Sequence, residues 1–319
     1  MERELRTVAI TGVTGFIGRN LLKHLEFRNN VEIRALTYNK EFGDESGKGN
    51  VMLISGDLLH PETFDKLLTK GCTVVNLAYA AGQSEAENME ALDNLGKACT
   101  GAKIKRLIHC STAVVAGRVS ENIINENTWC KPISSYEVMK LAMEKMLIDK
   151  YSGLFEIVIV RPTAVFGPGG QNIMKMADSL MRGNRVINYL KSCLFNNRKM
   201  NLVSVENVVA AIEFLIYYEK TNMSTERFII SDDEDGSNEY RKVELSLMSY
   251  FGQKNYSIPI IPIPLSILDL LLRLAGRTNP DPSCVYSSRK LMDVGFRKTV
   301  CLEESLRDFA DWYKSNIVR

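Results

Sequence analysis

A tyrosine and a lysine, Tyr136 and Lys140, have a spacing that could support proton transfer. On a helix, residues at positions i and i+4 lie on one face, one turn apart. Free tyrosine is a poor acid–base catalyst because its pKa is about 10, but a neighbouring ammonium favours the phenolate and lowers that pKa. The pair therefore predicts general acid–base catalysis in which Tyr136 carries the proton.

Two hydroxyl residues, Ser111 and Thr112, close an apolar, strand-like run upstream of this pair. A hydroxyl at such a position can hydrogen-bond the substrate oxygen that gains or loses a proton. The residue types alone leave both side chains open as the third catalytic group.

Three glycines near the start of the chain, Gly12, Gly15 and Gly18, follow an apolar run and open an amphipathic helix. In this context the TGxxGxxG spacing is typical of a turn that binds a pyrophosphate. Gly12 permits the tight turn, Gly15 lets the backbone approach the phosphates, and Gly18 lets the helix pack closely on the strand. Because a helix N-terminus also offers free N–H groups, the segment predicts a bound dinucleotide.

The end of the second predicted strand bears on the choice of dinucleotide. Many dinucleotide sites carry an acid there to hold the ribose hydroxyls, and this chain has none. Arg34 and Lys40 could instead hold a 2′-phosphate, so we expect NADP to be favoured over NAD. The other interpretation is that both residues are ordinary solvated cations.

Strand-like and helix-like segments alternate over the first half of the chain, which is typical of an α/β fold with a doubly wound parallel sheet. We predict a Rossmann domain over residues 1–170 and a smaller, partly interleaved substrate lobe over residues 171–319. Segments 201–205 and 227–231 are expected to return to the larger domain. The predicted strands cover residues 7–11, 32–37, 51–55, 73–78, 106–110 and 156–160, and the predicted helices cover 16–25, a segment around 89–99 and 136–150.

The composition excludes several classes of protein. A formal net charge of +2, without a concentrated basic run, argues against a nucleic-acid-binding protein. The seven cysteines are scattered and the three histidines lack metal-ligand spacing, so we expect no metal site and reduced thiols in a cytoplasmic protein. His109 is expected to be a core residue with its hydrogen bonds satisfied, and the acidic residues 232–235 are expected to form a solvated turn.

The apolar stretch at residues 257–276 raises the question of a membrane segment. Three prolines and the charges of Asp269 and Arg273 oppose a spanning helix, because each charge at its centre would cost about 2.5–3.5 kcal/mol. We therefore predict a proline-rich loop that leads into a buried helix, and no integral membrane segment. Strand-like residues begin by Val8, which leaves no room for a signal peptide.

Further segments complete a recognisable pattern with the glycine turn and the Tyr136/Lys140 pair. They are residues 56–58, 76–80, 88, 110–114, 161–169, 196–199, 202–209, 230–235, 287–291 and 295–296. With them, the chain resembles the extended short-chain dehydrogenase/reductase family, in its nucleotide-sugar epimerase/dehydratase branch. The second half is most similar to the 4-epimerases and 4-keto reductases that make bacterial surface-polysaccharide sugars.

This resemblance implies an NAD(P)-dependent enzyme that transfers hydride at a carbon, with C4 favoured, of a nucleoside-diphosphate sugar. It implies Thr112, Tyr136 and Lys140 as the catalytic triad, with Ser111 as the alternative to Thr112. Arg198 or Lys199 is implied to lie near the substrate diphosphate. The residues implied to contact the cofactor are Gly12, Thr14, Gly15, Phe16, Ile17, Gly18, Arg34, Lys40, Asp57, Leu58, Ala78, Tyr79, Ala80, Tyr136, Lys140, Pro162 and Val165.

The resemblance also implies a homodimer, held by a four-helix bundle of the helices around residues 88–102 and 136–150. Apolar residues beyond one helical stripe, among them Met143, Met146 and Leu147, agree with such an interface. The competing interpretation is that these side chains cover the sheet within one subunit.

Some residues depart from the family pattern. Ala113 and Val114 follow Thr112 where 4,6-dehydratases place Asp-Glu to expel water, so a dehydratase is disfavoured. Glu137 stands where the family often has glycine. Two other functions stay open: a non-catalytic dinucleotide sensor, which typically loses the tyrosine or lysine of the pair, and a membrane-associated sterol dehydrogenase, which would need residues 257–276 to contact lipid.

Overall fold

The structure, a computed structural model, describes residues 5–38, 49–80, 82–119, 121–219, 225–274 and 282–317. The chain forms two compact units, each built from several stretches of sequence. The first unit comprises Met1–Ser111, Val138–Arg161 and Ala211–Phe228, and the second comprises Thr112–Glu137, Pro162–Ala210 and Ile229–Arg319. The chain therefore passes from one unit to the other several times.

The strands are β1 (Arg6–Thr11), β2 (Val31–Thr37), β3 (Val51–Ser55), β4 (Thr73–Asn76), β5 (Arg106–Cys110), β6 (Ile123–Ile124), β7 (Glu156–Pro162), β8 (Ala164–Phe166), β9 (Leu202–Ser204), β10 (Thr225–Ile230) and β11 (Val285–Tyr286). Seven of them form one sheet in the order β3–β2–β1–β4–β5–β7–β10. The pairings from β3 across to β7 are parallel. The strand order reverses at β1, which lies between β2 and β4, so the sheet is doubly wound as predicted.

The helices are α1 (Phe16–Leu25), α2 (Phe64–Leu67), α3 (Glu85–Ala102), α4 (Ser135–Tyr151), α5 (Met174–Arg182), α6 (Arg185–Phe195), α7 (Val205–Tyr217), α8 (Tyr240–Tyr250), α9 (Leu265–Leu274), α10 (Arg289–Asp293) and α11 (Leu302–Ile317). Side-chain capping stabilises the starts of several helices, α3 and α4 among them. Ser84 and Glu87 form a capping box at α3. At α4, Glu137 accepts hydrogen bonds from the backbone N–H groups of Ile133 and Ser134. The departure from glycine at position 137 therefore stabilises the start of the helix.

Both faces of the sheet are buried in the core of the first unit. Val8, Ala9 and Ile10 are fully buried, as expected for a parallel strand that is covered on both sides. Met143 and Leu147 of α4 are buried in the same core. These two residues therefore cover the sheet within one subunit, and the expectation that they extend an intersubunit surface was wrong.

The second unit has its own core, built around Phe166, Leu247 and Phe309. Strand β9 pairs with β8, and residues 201–205 belong to this second unit rather than to the larger domain to which they were expected to return. Residues 227–231 were also predicted to return to the larger domain. Strand β10 forms the edge of the seven-stranded sheet, but only its residues up to Phe228 belong to the first unit.

The acidic residues 232–235 do not form the solvated turn that was expected. Asp232 and Asp233 are buried. Asp232 forms an ion pair with Lys298 at 2.8 Å, and Asp233 accepts a hydrogen bond from the amide of Asn201 at 2.6 Å. Burial raises the pKa of Asp233 to about 6. Asp232 and Asp233 therefore have a structural role, because their buried carboxylates are held by an ion pair and by hydrogen bonds.

Residues 257–264 form the predicted proline-containing loop, and helix α9 follows at Leu265–Leu274. The helix is not buried as expected: Leu270 and Leu274 are 56% and 77% exposed. Among the described residues, none of the helices combines the length and apolar character needed to cross a bilayer.

Candidate active site

The turn between β1 and α1 has the close contacts that its glycines permit. Gly12 has a positive φ of 73°, and a Cβ there would lie 2.6 Å from the backbone of Leu77 and Ala78. A Cβ on Gly18 would overlap the carbonyl of Gly12. Helix α1 begins after Gly15, and its first turn has no side-chain cap and no acidic residue. Its N-terminal N–H groups are therefore available to an anion.

A cleft of about 390 Å³ lies at the carboxyl ends of β1 to β4, beside this turn. This is the edge of a doubly wound sheet at which ligands bind. The predicted cofactor residues that line the cleft are Gly12, Thr14, Gly15, Asp57, Leu58, Ala78, Tyr79 and Ala80. The structure therefore brings together eight residues that the sequence had placed in three separate segments.

Other lining residues were not predicted as contacts. They are Leu36, Tyr38, Gly56, Asn76, Leu77, Gln83, Asn88, Ala91, Leu92 and Met143. Asn88 had a usable signal, because it occupies the buried stripe of α3 that otherwise contains Leu92, Leu95 and Cys99. Its side chain accepts a hydrogen bond from Ala80 N and donates one to Ala80 O, both at 3.0 Å. Asn88 therefore holds the loop that follows β4.

Arg34 and Lys40 are the two cations that were expected to bind a 2′-phosphate. Arg34 is not among the residues that line the cleft. Its guanidinium donates to Glu32 at 2.9 Å and to the carbonyl of Lys66 at 3.0 Å. Lys40 lies outside the described residues. The side chain that lines the cleft just beyond β2 is instead Tyr38, which is 67% exposed.

Lys140 is buried in the first unit, only 4% exposed. Its ammonium donates a hydrogen bond to the carbonyl of Cys110 at 3.0 Å and lies 4.8 Å from the ring centroid of Tyr79. Burial lowers the pKa of Lys140, while the nearby Glu144 carboxylate acts in the opposite direction. Tyr136, one turn earlier on α4, is 42% exposed. Helix α4 therefore carries an accessible phenol and a buried cation on one face.

The two candidate hydroxyls at the end of β5 have different partners. The Ser111 hydroxyl donates to Glu144 at 2.5 Å. Glu144 is itself 1% exposed and is bound by both ends of the Arg161 guanidinium. Within the described ranges, Thr112 Oγ1 accepts a long hydrogen bond, 3.4 Å, from Val114 N. The Ser111 hydroxyl therefore donates its proton to the buried Glu144–Arg161 ion pair. The Thr112 hydroxyl does not donate to this ion pair.

His109 is fully buried in β5, as expected of a core residue. Asn76 Nδ2 lies 3.0 Å from its Nδ1, but its Nε2 has no hydrogen-bond partner among the described residues. The expectation that its hydrogen bonds are satisfied therefore holds for one ring nitrogen. Burial lowers the pKa of His109 to about 3, so the ring is neutral at physiological pH.

The remaining predicted residues belong to the second unit. Pro162 is buried at the end of β7, and Val165 is buried in the short strand β8. Lys199 forms an ion pair with Glu239 at 2.9 Å. The guanidinium of Arg198 lies 5.6 Å from the ring centroid of Phe195. Both proposed diphosphate ligands therefore have intramolecular contacts that a substrate would have to replace or extend.

Comparison with known proteins gives one family and a consistent set of relatives. The model of the NAD dependent epimerase/dehydratase family matches residues 8–230. The UDP-glucose 4-epimerase of Vibrio cholerae is 26% identical over 290 residues, 86% of this chain and 84% of that protein. The D-erythronate dehydrogenase of Haemophilus influenzae is 30% identical over 193 residues, 55% of this chain and 61% of that protein.

Solved structures share the fold over nearly the whole chain. The Bordetella bronchiseptica enzyme WbmG, solved in complex with NAD, superposes with a TM-score of 0.73 at 21% identity, covering 99% of this chain and 96% of that one. The UDP-glucuronic acid 4-epimerase of Bacillus cereus, also in complex with NAD, gives a TM-score of 0.70 at 18% identity, covering 98% of both chains.

Proposed function

The chain belongs to the NAD dependent epimerase/dehydratase family, and from that membership we propose that it transfers hydride at C4 of a nucleoside-diphosphate sugar. The observation that carries this proposal is on α4, where Tyr136 precedes the buried Lys140 by one turn. The Lys140 ammonium lies on Tyr79, which lines the cleft of the first unit. Retention of both residues argues against the dinucleotide sensor.

The cleft has features that fit a nicotinamide dinucleotide. Gly12 and Gly18 permit close backbone contacts, with Leu77 and Ala78 and with the Gly12 carbonyl, that a Cβ would prevent, and the uncapped start of α1 offers N–H groups to phosphate. When bound, such a cofactor would accept hydride from the sugar carbon or return hydride to it. Gly12, Thr14 and Gly15 would hold its pyrophosphate, and Asp57 and Leu58 are available to its adenosine end.

Each catalytic residue has a separate role in the proposed reaction. In the oxidising direction, Tyr136 as phenolate takes the proton from the sugar hydroxyl. In the reducing direction, it acts as the acid and returns that proton. The Lys140 ammonium favours the phenolate electrostatically, and the Thr112 hydroxyl donates a hydrogen bond to the sugar oxygen. An epimerase uses both directions, and a 4-keto reductase uses only the second.

The assignment to C4 and to a nucleotide sugar rests on relatives as well as residues. The Vibrio cholerae relative is a UDP-glucose 4-epimerase, and a GDP-6-deoxy-D-talose 4-dehydrogenase of Aggregatibacter actinomycetemcomitans is 26% identical over 195 residues. Ala113 and Val114 after Thr112 supply no acid–base pair for the loss of water. We therefore favour epimerase or reductase chemistry over dehydration, with Arg198 or Lys199 at the diphosphate and the cytoplasm as the compartment.

Identification of the bound cofactor and of the accepted sugar tests this function. The protein is denatured, and the released small molecules are identified by mass spectrometry. It is then assayed with UDP-, GDP- and dTDP-linked hexoses and their 4-keto forms. Retained NAD with interconversion of C4 epimers supports an epimerase, whereas exchangeable NADPH with a 4-hydroxy product supports a reductase. A bound dinucleotide without turnover of any sugar nucleotide would contradict the proposal and favour a sensor.

The preference for NADP is a separate part of the proposal. It rests on the absence of an acid at the end of β2 and on Lys40, because Arg34 is engaged by Glu32 and Lys66. Titration of both dinucleotides into the wild type, Lys40→Ala and Arg34→Ala measures each contribution. We expect Lys40→Ala to abolish the preference and Arg34→Ala to preserve it. Equal or tighter binding of NAD by the wild type would refute the preference.

A further inference from the structure

Helix α6 of the second unit buries polar side chains and exposes apolar ones. Asn188 and Ser192 are 5% and 0% exposed. Ser192 donates to the buried carboxylate of Glu244 at 2.6 Å, and Asn188 donates to the carbonyl of Ser179 at 2.5 Å. The outward residues, each more than half exposed, are Val186, Ile187 and Leu190. This orientation is the reverse of an ordinary surface helix, which turns its apolar stripe toward the core.

Helix α9 of the same unit has two apolar stripes. Leu268 and Leu272 are 1% and 9% exposed and face inward, and an ion pair between Arg118 and Asp269 fixes the helix to its own unit. The outward stripe follows the i, i+3, i+4, i+7 spacing and consists of Ile267, Leu270, Leu271 and Leu274, all between 45% and 77% exposed. One face of α9 is therefore packed, and the other is apolar without cover from the described residues.

The loop before α9 connects these two helices into one surface. Helices α6 and α9 contact each other. Ile263 N donates to the carbonyl of Cys193 on α6, and the Tyr189 hydroxyl donates to the carbonyl of Pro259, both at 3.0 Å. The loop exposes two more apolar residues, Ile258 and Ile261. We call these nine outward residues of α6, the loop and α9 the α6–α9 surface.

The segments of the sequence that contain α6 and the loop before α9 carry basic residues and no acidic ones. Residues 179–195 contain Arg182, Arg185 and Lys191 and no acid, and residues 252–268 contain Lys254 and no acid. The one acid on α9, Asp269, is already paired with Arg118. Two copies of the chain related by a twofold axis would bring this cationic rim against itself, which disfavours self-association here. An anionic partner with an apolar interior complements both the charge and the apolar side chains.

We propose that the α6–α9 surface binds the surface of an anionic lipid bilayer. The outward aliphatic side chains enter the boundary between headgroups and acyl chains, while the surrounding cations contact the headgroups. Because Leu268 and Leu272 are packed against the protein, α9 lies along the bilayer surface and presents one face to it. This proposal stands independently of the sugar substrate, since none of these residues belongs to the proposed catalytic or cofactor-binding set.

Vesicle flotation with the full chain tests the proposal. The probes are vesicles of phosphatidylcholine alone and of phosphatidylcholine mixed with phosphatidylglycerol, at low and high salt. We expect binding to the anionic vesicles that weakens with salt. The double variant Leu270→Ser/Leu274→Ser should lower the partition coefficient at least about tenfold, and Lys254→Glu should lower it at low salt only.

A matched control separates lipid contact from general loss of surface hydrophobicity. Leu154 in the first unit is 57% exposed, so Leu154→Ser removes a comparable side chain and should leave vesicle binding unchanged. Cofactor binding should be unchanged in all three variants, which confirms that they fold. The proposal is overturned if wild type does not bind anionic vesicles, if it binds both vesicle types equally, or if the double variant binds like wild type. A dimer that is lost on Leu270→Ser/Leu274→Ser, without vesicle binding, would show a second copy as the occupant instead.

Discussion

Lys140 combines a buried position with a positive charge, and this combination gives the proposed site its chemistry. Removing an ammonium from water is costly unless partners replace the lost hydration. Here the carbonyl of Cys110 and the ring of Tyr79 do so, and Glu144 lies one turn further along α4. A cation held in this way acts on a neighbouring phenol more strongly than it would in water, because the local dielectric is low.

The first prediction concerns Tyr136. Tyr136→Phe keeps the ring but removes the proposed proton carrier, so kcat should fall by about 10²–10⁴-fold with any accepted sugar nucleotide. Cofactor affinity should change little, because the glycine turn and the cleft residues do not include the phenol. Steady-state assays beside a dinucleotide titration measure the two effects. Near-normal turnover would remove Tyr136 from the mechanism.

The second prediction distinguishes the two hydroxyls. Thr112→Ala should lower kcat by about 10–100-fold, the usual effect of losing a hydrogen bond to a charged group, and Thr112→Ser should restore most of it. Ser111→Ala should lower stability by about 1 kcal/mol, because its hydroxyl binds the Glu144–Arg161 pair, and should leave kcat nearly unchanged. The reverse ranking of the two kcat values would assign the catalytic role to Ser111.

At the level of single residues, the sequence predicted what depends on local geometry. The i, i+4 pair and the glycine spacing required only a helix and a strand–helix turn. Tyr38 and Asn88 were not predicted as cleft residues, because they come from separate segments that tertiary packing brings to the same edge of the sheet. The pairing of Arg34 with Glu32 is likewise a matter of which face of β2 each side chain occupies.

Hydrophobic periodicity predicted the positions of most helices and strands. The errors concern which other element each one packs against or pairs with. The order of helices and strands in the first half of the chain and most boundaries were predicted because most strands centre on a short apolar run, such as Val8–Ile10 in β1 and Ile157–Val160 in β7. The partner of β9 was not, since a three-residue strand carries no signal for which sheet it joins. Helix α9 was expected to be buried, because its apolar residues on both sides resemble those of a core helix.

The third prediction tests the turn between β1 and α1 as a structural element. Gly18→Ala adds a Cβ that would overlap the carbonyl of Gly12, so it should destabilise the protein by about 1–3 kcal/mol and weaken dinucleotide binding. Gly101→Ala is the matched control, because a Cβ there meets no atom within 4 Å on α3. That control should be neutral or stabilising by up to about 1 kcal/mol. Equal effects in thermal unfolding and cofactor titration would contradict the role given to Gly18.

At the scale of the whole molecule, association of two copies of the chain is a prediction. The family resemblance places a dimer interface on α3 and α4, yet two of the three residues first assigned to it, Met143 and Leu147, are buried in their own unit. Met146 is only partly buried. On the same pair of helices, Asp93 forms ion pairs with Lys97 and Lys150. The hydrogen bonds that these two ammonium groups donate lower the pKa of Asp93. We therefore propose a dimer in which the remaining exposed strip of α3 and α4, including Met146, is the apolar contact.

The fourth prediction is that light scattering at micromolar concentration gives the mass of two 35.9 kDa chains. Met146→Glu should shift that mass toward the monomer, because a twofold axis would place two carboxylates in one apolar contact. Circular dichroism should show the same helix content in this variant as in wild type. Leu270→Ser/Leu274→Ser should remain dimeric, because its residues lie on the α6–α9 surface of the other unit. A monomeric wild type would contradict the dimer, and a wild-type dimer unaffected by Met146→Glu would move the interface away from α4.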